Sequence, residues 1–326
     1  MDHKLPTVWH VKFSAYKPSH KYRNSISFLK SCRLTAPPCV TFEYTQFNRA
    51  YYQCSIVGFI MIRLWTALFY RSRSQRHFIY ISGGMEVSQQ HLEGFSVTFG
   101  ITETVGLLTV VLVTVWAGHY RGGFAWRSNP GLEFNWHPVL MTTGMIFLYA
   151  NSIMIYRAFR NNRKRKLKWA HMSMHVVAFL MVIVGLVAVF DSHNLAPEPI
   201  PNMYTLHSWI GLSSVILFAC QWIAGFITFF FPGLQSPLRA SYMPVHVFFG
   251  LAGFMAAIIA ALLGLTEKTI WTVKDYAQFP AEGILVNFIG VFLVAFAGLV
   301  IYLTTEPRFK RQPLPEDEML LTSGLE

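Results

Sequence analysis

The chain has 326 residues, of which 53% are hydrophobic and only 13% are charged. A soluble domain carries roughly 25% charged residues, so this composition excludes a water-soluble fold and indicates a membrane protein. The formal net charge of +11 suggests nucleic acid or anionic lipid as a partner. Residues 85–326, however, carry a net charge of only +1, so we expect no nucleic-acid partner.

Residues 1–84 differ from the rest of the chain. They hold 12 basic and 2 acidic residues and three of the four cysteines, which lack metal-ligand spacing, and they have no apolar run of membrane-spanning length. Two interpretations compete: a basic cytosolic arm that contacts anionic lipid, or an extension upstream of a working start at Met85. We favour the second interpretation and expect this extension to be disordered.

Six apolar runs follow, each long enough to cross a hydrocarbon core of about 30 Å as a helix. They are Phe95–Ala117, Pro138–Tyr156, Trp169–Phe190, His207–Phe231, Pro244–Leu265 and Gly283–Thr304. The sequence therefore predicts an all-α membrane protein with six transmembrane helices over residues 85–312. An acidic tail over residues 313–326 completes the predicted organisation.

Basic residues are concentrated in the loops at one membrane face. Seven lie in the loop from Arg157 to Lys168, three follow the sixth run, and Arg239 lies between the fourth and fifth runs. The loops at the opposite face carry few basic residues. The positive-inside rule places the basic face in the cytosol, and an even number of spans places both termini there.

Four histidines stand at the starts of four consecutive runs. By the alternation of the runs, His137 and His207 lie at the non-cytosolic face, whereas His171 and His246 lie at the cytosolic face. Two imidazoles at each level suit the axial positions of a haem iron in the core of a four-helix bundle. A zinc site would need three or four ligands close together and is a poorer explanation. His175 shares a helix face with His171 and is a weaker candidate, and Glu103 in the first run has no assigned role.

The sequence resembles the cytochrome b561 family of transmembrane ascorbate-dependent reductases over residues from about 95 to 312. Thr205 is one departure, because the family usually has serine there, but the hydroxyl group is retained. The stretches that carry the resemblance are Tyr120–Trp126, Phe134–Pro138, Val184–Phe190, Tyr204–Trp209, Pro237–Arg239 with Pro244–His246, and Gly264–Lys268.

The resemblance implies two b haems in a core formed by helices 2–5, with His137 and His207 as axial ligands of one iron and His171 and His246 of the other. It also implies haem contacts and substrate contacts at both faces. The implied haem contacts are Arg157, Asn202, Met203, Tyr204, Thr205, Glu267 and Lys310. The implied contacts for cytosolic ascorbate are Lys164, Lys168 and Arg239, and His193 is implied for the non-cytosolic substrate. A cationic pocket is suited to ascorbate, since ascorbate is an anion at neutral pH.

The function implied by the resemblance is electron transfer from cytosolic ascorbate, through two b haems, to monodehydroascorbate or ferric iron on the other side. The competing hypothesis is a six-span transporter or channel that uses buried histidines as a proton relay. The family implies a secretory-vesicle or late endosomal and lysosomal membrane, with the plasma membrane as the alternative, and we expect a homodimer. The segment 316–321 fits an acidic dileucine sorting pattern, although a simple solvated tail explains it equally well.

Overall fold

The computed structural model of the chain describes residues 94–312, and these form an all-α membrane protein. The predicted N-terminal extension and acidic tail lie outside the described residues. Within this described range, six helices are long and apolar enough to span a bilayer, which confirms the predicted fold class. They are α1 Phe95–Tyr120, α2 Pro130–Ala158, α3 Lys164–Asn194, α4 Leu206–Phe229, α5 Ser236–Thr272 and α6 Ala281–Thr305.

Several helices extend beyond the apolar runs, because polar residues continue a helix into the headgroup region of a bilayer. The fifth is the clearest case: its apolar run begins at Pro244, whereas α5 begins at Ser236 and has 37 residues. Pro237 occupies the first turn of α5, where a missing N–H costs nothing. The basic residues that open α3 are likewise helical from Lys164 onward.

Helices α2 to α5 form a ring in which each helix packs against two neighbours. Helix α6 packs against α1, α2 and α5, so α1 and α6 lie beside the ring on one side. Helix α2 contains a π-helical segment over Thr142–Leu148. Such segments are frequent at functional sites. Helices α2 to α5 thus form the predicted four-helix core.

Side-chain contacts tie the helix ends together at both faces. At the basic end, Arg157 donates to the backbone oxygen of Glu306 at 2.6 Å, and Arg311 donates to the backbone oxygen of Arg160 at 3.1 Å. Burial lowers the pKa of the Arg160 guanidinium. At the opposite end, Arg121 pairs with Glu282 at 3.3 Å. The loop between α2 and α3 therefore lies beside the end of α6, and this end of the bundle carries the basic clusters.

Candidate functional site

The imidazoles of His137 on α2 and His207 on α4 face each other near one end of the ring, with centroids 6.1 Å apart. Each ring is held by a backbone carbonyl of the following helix: His137 Nδ1 lies 3.1 Å from Gly185 O, and His207 Nδ1 lies 2.8 Å from Ala260 O. A carbonyl oxygen only accepts, so Nδ1 carries the proton in each ring. The other nitrogen, Nε2, is then an unprotonated ligand in the neutral imidazole.

The second pair lies toward the other end of the ring, where the centroids of His171 on α3 and His246 on α5 are 6.3 Å apart. His171 Nδ1 donates to the backbone oxygen of Ser152 at 2.8 Å, which again leaves Nε2 as the lone-pair nitrogen. Within the described part of the chain, His246 Nδ1 is buried without a hydrogen-bond partner. Its ring is instead confined by Gly225 on α4, where an added Cβ would lie 2.9 Å from His246 Cε1.

The two pairs are separated along the bundle by the same interval on two helices. Gly185, which holds His137, lies fourteen residues after His171, and Ala260, which holds His207, lies fourteen residues after His246. At 1.5 Å per helical residue, this interval corresponds to roughly 21 Å. The ring therefore carries two imidazole pairs at two depths, one toward each end of the bundle.

A cavity of about 310 Å³ surrounds the pair formed by His137 and His207 and is lined mainly by apolar side chains. This volume is within the range of ligand pockets, which is ~300–1,000 Å³. The cavity brings together the residues that the sequence assigned to the non-cytosolic side. Those residues are His137, His193, Asn202, Met203, Tyr204, Thr205, His207 and Glu267.

One side of this cavity is shaped by the start of α4. Thr205 caps the helix by accepting from the Ser208 N–H, and the Ser208 hydroxyl in turn accepts from the Thr205 N–H. Met203 has a left-handed backbone with a φ of 59°. The Met203 carbonyl accepts from the indole of Trp209 at 2.8 Å. Glu267 lies near Thr205 and the backbone of His207, so this carboxyl is close to the positive end of the α4 dipole.

His193 reaches the cavity from the last turn of α3. Asn202 Nδ2 donates to Asn194 Oδ1 at 2.8 Å, so Asn202 Oδ1 is available to accept from His193 Nδ1 at 3.0 Å. This network gives His193 the same tautomer as His137, His171 and His207, with Nε2 as a lone-pair nitrogen. His193 can therefore accept a proton or bind a metal ion through Nε2.

The residues assigned to the cytosolic side lie at the basic end. Lys164 and Lys168 are half-buried on the first turns of α3, seven and three residues before His171, while the neighbouring Lys166 is exposed. Arg239 is half-buried on the first turn of α5, seven residues before His246. The predicted haem contact Arg157 bonds to the end of α6, and the predicted haem contact Lys310 is exposed just beyond that helix.

The two residues left without a role occupy different surroundings. His175 is buried, with its ring edge-on to His171 at 4.6 Å and to Tyr149 at 5.1 Å. His175 therefore packs between the two levels, and His171 is the ring that faces His246. Glu103 on α1 does not line the cavity, and one of its carboxyl oxygens is buried without a hydrogen-bond partner among residues 94–312.

Comparison with known proteins places these observations in a family. Residues 136–272 match the family model for eukaryotic cytochrome b561. The chain is 43% identical to the transmembrane ascorbate-dependent reductase CYB561 of Sus scrofa over 222 residues, which are 68% of this chain and 86% of the relative. The chain belongs to the cytochrome b561 family. The family assignment agrees with the resemblance found in the sequence.

Two further relatives of this cytochrome b561 chain differ in their descriptions. A putative transmembrane ascorbate-dependent reductase CYB561 homolog of Caenorhabditis elegans is 41% identical over 246 residues, covering 72% of this chain and 92% of the relative. The plasma membrane ascorbate-dependent reductase CYBRD1 of Xenopus tropicalis is 45% identical over 211 residues, covering 64% and 74%. The chain is thus similar to relatives described as transmembrane ascorbate-dependent reductases and to one described as a plasma membrane ascorbate-dependent reductase.

The family implies haem b, and the paired histidines fit this cofactor. Two imidazoles that share one metal ion, each at roughly 2 Å, have centroids about 6 Å apart, and the observed values are 6.1 and 6.3 Å. Within residues 94–312, no three His, Cys, Asp or Glu side chains form a metal-binding group. A haem needs no such group, because its macrocycle supplies the other iron ligands.

Sequence reasoning missed three residues that shape these sites. Gly264 and Gly225 lie directly against His207 and His246, and an added Cβ would be 2.6 and 2.9 Å from Cε1 of the respective rings. Lys268 lines the cavity, with its Nζ 3.8 Å from the centroid of Phe134. Lys268 follows Glu267 in one of the stretches that carry the resemblance. A charged residue at the end of an apolar run is a signal that could have identified Lys268 as a candidate site residue.

Proposed function

We propose that this cytochrome b561 is a transmembrane oxidoreductase that takes electrons from cytosolic ascorbate and delivers them to an acceptor across the membrane. Two imidazole pairs at two depths, with centroids 6.1 and 6.3 Å apart, are the observation that supports this proposal. The relatives' descriptions as ascorbate-dependent reductases support the choice of donor. The basic end of the bundle is the proposed cytosolic end, in agreement with the positive-inside rule.

In the proposal, His137 with His207 and His171 with His246 hold two b haems. Each haem supplies an iron that exchanges one electron between its ferric and ferrous states. The outer haem, held by His137 and His207, would be contacted by residues around the start of α4 and on α5: Asn202, Met203, Tyr204, Thr205 and Glu267. The inner haem, held by His171 and His246, would be contacted by Arg157 and Lys310. Carbonyl groups hold three of the four rings with Nε2 unprotonated, so the protein fixes the tautomer required for binding iron.

The donor side of the proposal uses Lys164, Lys168 and Arg239 to bind the ascorbate anion. Ascorbate gives up one electron and one proton and becomes the monodehydroascorbate radical anion. On the other side, either monodehydroascorbate takes one electron and one proton to become ascorbate, or ferric iron takes one electron to become ferrous. Nε2 of His193 is the proposed contact for the proton or for the iron.

The proposed setting is a secretory-vesicle or late endosomal and lysosomal membrane, with the plasma membrane as the alternative, where the chain forms a homodimer. The description of the Xenopus tropicalis relative as a plasma membrane protein supports the alternative. Fractionation of cell membranes, followed by detection of the chain with an antibody, tests the compartment.

The decisive experiment is a haem spectrum of the purified protein. We expect b-type absorption bands that bleach on oxidation and return when ascorbate is added, with about two haems for each chain. A transporter or channel with a histidine proton relay would show no reducible haem, and this result would overturn the proposal. Ferric reduction and monodehydroascorbate reduction, compared in vesicles loaded with ascorbate, then identify the acceptor.

Lys168→Ala should weaken the use of ascorbate while haem is retained. Loss of one ionic hydrogen bond costs about 1.5–3 kcal/mol, which corresponds to a rise in the KM for ascorbate of roughly tenfold or more. Stopped-flow reduction at varied ascorbate concentrations measures this change. Lys166→Ala is the control, because Lys166 is exposed on the same turns of α3. Equal KM values for the two variants would contradict the assignment.

A further inference from the structure

The cavity around His137 and His207 is lined in part by a lysine, Lys268, which has no role in the proposed binding of haem. Lys268 lies on α5, one helical turn beyond Gly264, the residue that abuts His207. The Lys268 side chain lines the cavity together with His193, and its Nζ rests 3.8 Å from the centroid of Phe134. The Phe134 ring is 6.1 Å from that of His137. Lys268 is thus placed close to one member of the outer histidine pair.

The charge of Lys268 has no carboxylate partner among residues 94–312. Glu282 is the acid at this end of α6, but its Oε1 accepts from both Arg121 at 3.3 Å and Trp116 at 2.9 Å. Contact with an aromatic face stabilises a cation by only about 0.5–2 kcal/mol. A cation in a cavity lined mainly by apolar side chains is therefore poised for an anionic ligand.

The remaining charged group of the cavity is compatible with such a ligand. Among the described residues that line the cavity, Glu267 is the sole carboxyl group. It lies near Thr205 and the backbone of His207, where the N-terminal dipole of α4 offsets negative charge. An anion between Lys268 and His193 would meet a cation and an imidazole, while the Glu267 carboxyl is compensated from another side.

We infer that Lys268 determines the specificity of the cavity around His137 and His207, and that it selects an organic or chelated anion as the electron acceptor. The inference rests on the proposed function, since it concerns the acceptor of that electron transfer. An enediol radical anion and ferric iron bound by carboxylates share the required negative charge. A haem propionate has the same chemistry, so the test must separate the acceptor from the cofactor.

The experiment uses the full haem-loaded chain in vesicles with ascorbate enclosed, so that only molecules with the donor site inside contribute. Two one-electron acceptors of opposite charge are added outside: hexacyanoferrate(III), an anion, and hexaammineruthenium(III), a cation. Lys268→Met should raise the KM for the anion about tenfold, without raising the KM for the cation. The kcat for both acceptors and the haem content should remain as in the natural chain.

Two variants complete the design. Lys268→Arg should restore most of the preference for the anion, because it keeps the charge. Lys274→Met should change nothing, because Lys274 is an exposed lysine in the loop that follows α5 and does not line the cavity.

Three outcomes separate the interpretations. An unchanged ratio of the two KM values in Lys268→Met overturns the inference. A change in haem content or in reduction potential, with that ratio unaltered, assigns Lys268 to a haem propionate and also overturns it. If enclosed ascorbate fails to reduce haem in the natural chain, the proposed function itself fails, and this result is read before any acceptor is added.

Discussion

His246→Ala should remove one of the two proposed haems and abolish rapid reduction of the protein by ascorbate. The variant takes away the partner of His171 at the basic end, where the two rings are 6.3 Å apart. The pair formed by His137 and His207 lies roughly 21 Å along the bundle and should keep its haem. We expect the haem content per chain to fall by about half, as measured by the pyridine haemochrome assay.

Stopped-flow spectroscopy measures the second consequence of His246→Ala. The remaining haem would lie at the end away from the proposed ascorbate site, so its reduction by ascorbate should slow by at least tenfold, roughly the effect of disturbing a metal's ligand environment. His119→Ala is the matched control, because His119 is an exposed histidine in the last turn of α1, at the end of the bundle opposite the basic end. If His246→Ala kept the full haem content, the assignment of His246 as a ligand would be wrong.

Gly264→Ala should displace His207 without unfolding α5. The added Cβ would lie 2.6 Å from Cε1 and 2.7 Å from Nδ1 of the His207 ring, distances that no packed methyl group tolerates. Alanine is favoured over glycine in a helix by about 1 kcal/mol, so the helix should persist. The ring should therefore move and lose the hydrogen bond from its Nδ1 to Ala260 O.

The expected result of Gly264→Ala complements that of His246→Ala. The haem proposed between His137 and His207 should be lost or weakly held, while ascorbate still reduces the haem proposed between His171 and His246. Transfer to an external acceptor should fall by at least tenfold. Optical redox titration of the purified variant resolves which haem remains. Gly250→Ala is the control on the same helix, since an added Cβ there meets no atom of another described element within 4 Å. Normal haem content in both glycine variants would contradict the proposed tight packing at Gly264.

Much of the fold could be predicted because a bilayer constrains a chain strongly. Apolar runs must be about 20 residues long to span it, and their backbone groups must bond within a helix. The six runs were therefore found, but their ends were not. Pro244 looked like a start, yet α5 begins at Ser236, because a long helix tolerates one missing hydrogen bond when its neighbours pack around it.

Much of the candidate site could also be predicted. Alternation of the spans sorts four histidines into two depths, and the structure puts the two members of each depth about 6 Å apart. The glycines beside the rings could not be predicted as such, because glycine is common in helices of membrane proteins. Their importance depends on which helix lies opposite, and hydropathy carries no information about that.

By itself, the sequence determined the six spans, the face at which basic residues gather and the two levels of histidine, since hydrocarbon solvation acts on each segment separately. Only the tertiary structure decided what each imidazole bonds to, which glycines confine it, and that Lys268 shares a cavity with His193. These features arise where residues far apart in the chain meet across helix interfaces. Packing between helices selects them, and no local pattern of residues encodes that packing.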